Sequence, residues 1–136
     1  MPDDFSQCMV SNSRMAARAI TRRYDSYVRP YGVTATQLSL MGGLRMLPGQ
    51  TVSALADQRG FERTTLTRNL DKLEAMGLAA STAEGRGRVA SLTPKGEVLL
   101  DQLLPLWRRA QDELRNELSP TTFTDSINTL QRLAKV

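Results

Sequence analysis

The stretch from Val52 to Leu78, VSALADQRGFERTTLTRNLDKLEAMGL, constrains the fold more than any other, because its spacing of apolar, turn and polar residues is that of two helices set at an angle. Val52, Leu55 and Ala56 recur at i, i+3, i+4 and share one face of a short helix whose other face carries Ser53, Asp57 and Gln58. Gly60 ends that helix, since glycine takes a left-handed backbone at no steric cost, and Phe61 turns inward after it. Leu66, Leu70 and Leu73 then fall within about 60° of one another on a second helix. The far face of that helix follows: Thr64 and Arg68 lie roughly 160° and 200° round from Leu66, with Thr65 and Lys72 near 250°. A helix-turn-helix that shows hydroxyls and cations to solvent has the chemistry of a DNA reader. Arginine bonds guanine bidentately, threonine offers a hydroxyl and a methyl, and a free helix fits the major groove.

Charge and composition narrow the function. At 136 residues the chain makes one domain. Its formal charge is +4, and residues 59–95 carry seven Lys/Arg against four Asp/Glu, so most of the surplus coincides with the DNA-reading segment. There is no histidine and a single cysteine, Cys8. That removes the commonest metal ligand and general base, along with any intrachain disulfide, and predicts a protein that is no enzyme and needs no cofactor. MPDDFSQ at the start is acidic and lacks an apolar run, and nowhere do about 18 apolar residues run together, so a cytoplasmic protein with no membrane partner is expected.

In chain order, Ala16, Ile20, Tyr27 and Tyr31, widened by Ala19, Tyr24 and Val28, predict a long first helix over about 12–31. Arg14, Arg18 and Arg22 stand four apart on another face, either solvated or ion-paired, or drawn to phosphate or an acidic effector. Thr34 to Gln37 fits a capping box, with Val33 and Leu38 as a hydrophobic staple, and starts a second helix ending near Leu47. Gly42-Gly43 inside it costs about 1 kcal/mol per glycine and marks either close packing or a soft spot. After the helix-turn-helix, residues 79–82 and 88–92 read as two short strands around a five-residue turn, a small wing. Arg86 and Arg88 make its tip cationic, suited to a minor groove, although a solvated basic turn has the same composition. Thr93-Pro94 starts a long helix with an apolar stripe from Leu99 to Leu114, which Pro105 should bend. Ser119-Pro120 starts a last one striped by Phe123, Ile127, Leu130, Leu133 and Ala134. These terminal helices exceed what one small core covers and call for a second subunit.

The segments YDSYVRPYGVTATQLSLM (24–41), TTLTRNLDKLEAMGL (64–78), EGRGRVASLTPKG (84–96) and LLPLWRRAQ (103–111), in this order, give the chain its family likeness. It resembles the MarR family of bacterial transcription regulators over nearly its whole length. The resemblance implies a mainly α fold with a small β-hairpin wing: a winged helix-turn-helix over 34–97, with dimerisation helices over 1–33 and 98–136. It further implies a homodimeric repressor of pseudo-palindromic DNA, released by a small phenolic ligand or by cysteine oxidation. Two departures stand out. The family's Asp-x-Arg in the wing is here Glu84 ahead of Arg86, and the arginine often found shortly after the Gly-Leu is replaced by Ser81.

The expected DNA contacts are Thr64, Thr65 and Arg68 to bases, Lys72 and Arg63 to phosphates, and Arg86 with Arg88 from the wing. Glu62 is a poor N-cap, so capping is the other role open to Thr64 or Thr65. Tyr24, Tyr31, Met41 and Trp107, with Arg14 or Arg18 as the cation, are the expected effector site, although each aromatic also suits a core. Cys8 is the redox candidate, with Arg14 to stabilise its thiolate, but no second cysteine resolves a sulfenic acid. The competing classes are a winged-helix module that binds protein rather than DNA, which Arg68 and Lys72 argue against, and a thiol enzyme using Cys8, which lacks a histidine base.

Overall fold

The computed structural model describes residues 3–135. Six helices and one hairpin follow in the order α1 (Met9–Val28), α2 (Ala35–Met46), α3 (Val52–Arg59), α4 (Arg63–Ala75), β1 (Ala79–Glu84), β2 (Gly87–Leu92), α5 (Pro94–Leu118) and α6 (Pro120–Leu133). The fold is therefore mainly α with a β-hairpin wing, as the residue pattern predicts. The core lies between α2, α4 and the first half of α5, where Leu40, Met41, Leu66, Leu70, Leu73, Leu100 and Leu103 are all fully buried.

Local chemistry explains most boundaries. Thr34 Oγ1 accepts from the Gln37 amide at 3.2 Å while Thr34 N donates to Gln37 Oε1 at 3.0 Å, a complete capping box with Val33 and Leu38 buried on either side. Thr51 caps α3 through the Ala54 amide, and Gly60 closes it at φ 70°. The wing is tighter than expected. Its antiparallel register runs from Ala79↔Leu92 to Glu84↔Gly87, leaving only Gly85 and Arg86 in the turn. Gly85 supplies the positive φ of 60° that a two-residue hairpin turn demands. A single bridge, Thr51↔Val89, ties β2 to the start of α3.

The first turn of α5 grips the end of α4. Thr93 Oγ1 donates to the Gly77 carbonyl at 2.6 Å, Thr93 N to the Leu78 carbonyl at 3.0 Å, and Lys95 Nζ to the Met76 carbonyl at 2.8 Å. The contact is so close that a Cβ on Gly96 would lie 2.0 Å from the Leu78 oxygen. Further along, α5 runs unbroken through Pro105. Polar pairs zip it to α1: Arg23 to Glu117 at 2.7 and 2.9 Å, Tyr24 to Gln111 and Tyr27 to Glu113, with the Arg109 guanidinium 5.4 Å from the Tyr27 ring.

The bounds of α1 depart from expectation. α1 starts earlier and stops at Val28, because Pro30 carries no amide for a helical bond and the chain passes through a short 3-10 turn to Gly32 at φ 86°. Within α1 only Val28 is buried; Met9, Val10, Met15 and Ile20 are exposed. α6 buries Phe123, under the Arg115 guanidinium, while Ile127, Leu130 and Leu133 face outward. No helix among the described residues is long and apolar enough to cross a membrane.

Candidate nucleic-acid interface and effector cavity

α4 is seated by Leu66, Leu70 and Leu73, each at most 1% exposed, and this fixes which side chains face out. Thr64, Arg68 and Lys72 are exposed and Thr65 half-buried. Glu62 is the N-cap and makes no side-chain capping bond; among the described residues neither threonine takes over that role, so both hydroxyls remain available. Among the described residues Arg68, Lys72 and Arg86 form no ion pair, whereas Arg63 lies 3.9 Å from Asp57 on α3. Thr67, beside Arg68, is also exposed and escaped the sequence reading, because at about 100° from Leu66 it falls between the two faces.

At the wing the two arginines part company. Arg86 occupies the turn and is exposed. Arg88, expected beside it at the tip, lies within β2 opposite Ala83, and its side chain folds back onto α4. Its Nη2 meets Asp71 Oδ1 at 3.0 Å and Glu74 Oε2 at 2.5 Å, and its Nε donates to Ser81 Oγ at 2.8 Å. Ser81 Oγ in turn donates to Glu74 Oε1 at 2.5 Å. No Glu84–Arg86 ion pair forms among the described residues; the wing is fastened through Arg88 instead.

Between the helix-turn-helix and the terminal helices lies a cavity of about 560 Å³. Ile20 and Tyr24 of α1, Ser39 and Gly42 of α2, the Gly60-Phe61 turn, and Leu104 and Trp107 of α5 form its walls. Of the residues expected to form an effector site, Tyr24 and Trp107 line this cavity. Burial pushes the Tyr24 phenol above its ordinary pKa, with Arg23 and Arg115 opposing, so it stays a proton donor. The other expected residues are not brought here. Met41 is fully buried in the core and does not line the cavity. Tyr31 follows the Pro30 turn and lines a separate groove with Met76, Lys95 and Val98. Arg14 and Arg18 lie on the exposed part of α1 and do not line the cavity.

The cavity has cations of its own, Arg45 and Arg59. Arg45 is engaged by Glu97 at 2.5 Å and Asp101 at 2.9 Å, and the Glu97 hydrogen bond holds its pKa above the usual arginine value. Arg59, at the end of α3, is exposed and forms no ion pair among the described residues. No sequence pattern marks it, because Arg59 enters the cavity only through the way α3 packs on Gly43, where a Cβ would meet the Arg59 stem at 3.7 Å.

A recognition helix with free hydroxyls and cations, followed by a wing with a basic tip, defines a winged helix-turn-helix DNA-binding protein. Residues 31–88 match the model described as MarR family. Over 117 residues the chain is 28% identical to the multiple antibiotic resistance protein MarR of Salmonella typhimurium, covering 84% of this chain and 79% of that protein. The M. tuberculosis transcriptional regulator MosR superposes with a TM-score of 0.85 at 35% identity, covering 98% of this chain and all of that one. MosR in complex with DNA superposes at 0.80, with 36% identity over 93% and 96% of the two chains. The chain belongs to the MarR family and is a transcription regulator rather than an enzyme.

Proposed function

We propose that this regulator is a cytoplasmic homodimeric repressor that binds a pseudo-palindromic operator and is released by a small aromatic acid. One observation carries the DNA reading: Thr64, Thr65, Arg68 and Lys72 stand together on the face of α4 opposite its leucines. In this assignment Thr64, Thr65 and Arg68 read bases, Lys72 and Arg63 hold phosphates, and Arg86 enters a minor groove. The segments 1–33 and 98–136 supply the dimer contacts, which accounts for the apolar residues of α1 and α6 left in solvent.

Selection of bound sequences from random DNA tests the reading, and half-sites roughly one helical turn apart are expected of a two-fold dimer. Arg68→Ala should cost about 1–3 kcal/mol and relax the preference at one base pair, while Lys72→Ala weakens all sequences alike. Equal losses on operator and random DNA for both variants would refute the division of roles.

For the effector, the supporting features are an apolar cavity against the helix-turn-helix turn, two aromatic walls, and Arg59 as the unpaired cation for a carboxylate. A ligand that fits one spacing of the two reading heads shifts the population towards it and lowers DNA affinity by its differential affinity. The thiol route has one observation in its favour: the backbone and hydroxyl of Ser11 hold the Cys8 thiol below its ordinary pKa. Titrating a salicylate-like acid, and separately peroxide, against operator complexes of wild type, Arg59→Ala and Cys8→Ser distinguishes the two. Ligand release lost in Arg59→Ala and kept in Cys8→Ser is expected; peroxide release that disappears in Cys8→Ser would transfer the role to the thiol.

A further inference from the structure

We propose that Arg88 is a positioning residue for DNA binding, acting through Asp71 and Glu74 rather than by touching the duplex. The inference rests on the DNA-binding reading above. Asp71 follows Arg68 by three residues and so lies about 60° from it on α4, immediately before Lys72. Its side chain is 61% exposed, so a recognition helix lying in a groove carries this carboxylate to the phosphates beside it. Glu74 is one turn further along the same flank. Two carboxylates there oppose binding, and they have no other cation partner among the described residues than Arg88.

The geometry of Arg88 suits this task. Nε and Nη2 are both spent on acceptors within the protein, and the side chain is only 30% exposed. β2 is held on its other side by the Thr51↔Val89 bridge, and Thr51 Cγ2 lies 3.2 Å from where a Cβ on Gly87 would be. The guanidinium therefore has a fixed base and reaches α4 from it. Ser81, where a longer cationic side chain would compete for the same carboxylates, presents only a hydroxyl that accepts from Arg88 and donates to Glu74.

The test compares wild type, Arg88→Met, Asp71→Asn/Glu74→Gln and the triple variant for binding to the selected operator and to a random duplex. Arg88→Met should weaken both DNAs on the order of tenfold, because repulsion of phosphate is blind to sequence. The double variant should bind at least as tightly as wild type, and the triple variant should return to within about threefold of it. A triple variant as weak as Arg88→Met would mean that Arg88 contacts DNA itself. That result overturns the inference, as would a double variant that loses affinity or an Arg88→Met of wild-type affinity. Arg88→Gln, which keeps a donor for Ser81, replaces Arg88→Met in the comparison if the latter melts early. Arg68→Ala is the control: loss of binding in it alone leaves the DNA reading standing and this inference refuted, whereas a wild type that binds no duplex defeats both.

Discussion

At the scale of single residues, adjacent glycines of α2 have opposite surroundings. A Cβ on Gly43 would touch Leu55 Cδ1 at 3.4 Å, whereas Gly42 has nothing within 4 Å and opens onto the cavity. The pair is thus a close approach and an empty space side by side, which their identical chemistry in the sequence hides. Gly42→Leu should keep the fold and fill the cavity, so that a bound aromatic acid loses affinity while operator binding persists; isothermal titration reads the first and mobility shift the second. Gly96→Ala is the opposite case. Its methyl meets a backbone oxygen that cannot move aside, and a loss of at least about 3 kcal/mol in denaturant unfolding is expected. Ser119 sits at φ 78°, ψ 152°, a region natural to glycine, although its hydroxyl caps the Thr122 amide at 3.2 Å. Relief of strain outweighs the lost cap, and Ser119→Gly should raise the melting temperature by an amount corresponding to about 1 kcal/mol.

At the scale of elements, patterns with a period were legible and directions without one were not. The leucine spacing of α4, the Thr34–Gln37 box and the Thr93-Pro94 start all encode their partners within a few residues, and each is found as the spacing requires. Leu70→Ala should therefore cost about 2–5 kcal/mol by denaturant unfolding, since its site is enclosed on every side. The wing shows the limit. Two glycines two residues apart permit either a five-residue or a two-residue turn, and only the tighter register pairs Arg88 with Ala83 in the ladder, away from the tip and on the face shared with Ser81. The aromatic positions behave likewise. Tyr24 and Trp107 were legible as helix-borne walls, but helical spacing does not distinguish Met41, which faces the core, and Tyr31 leaves the register at Pro30. A titration separates the α1–α5 zipper from the core. Arg23 holds the Glu117 carboxyl below its ordinary value, so that pair's stabilisation is present above the usual glutamate range and is lost as pH falls through the lowered value. Glu117→Gln should lower the neutral plateau slightly and flatten the acid limb, so that the variant and wild-type stability curves converge at low pH.

At the scale of the molecule, the ends of the chain hold what the reading head lacks. Ile127, Leu130 and Leu133 on α6 and Met9, Val10 and Met15 on α1 are each exposed, and in the proposed dimer they meet a second copy. Deleting residues 119–136 should give monomer or aggregate in sedimentation; a truncated chain that stays a stable dimer would remove the terminal helices from the interface. The grip of α5 on the carbonyls of the turn that follows α4 then acquires a mechanical meaning. Because Thr93, Lys95 and Gly96 leave no slack at residues 76–78, the recognition helix cannot turn without its neighbour turning too. With 25 residues, α5 is an arm of about 37 Å, so a tilt of about 5° moves its end by roughly 3 Å. That is close to the ~3.4 Å step between stacked base pairs. Such a lever converts a disturbance no larger than a methyl group at one end into a mismatch of one base pair at the other.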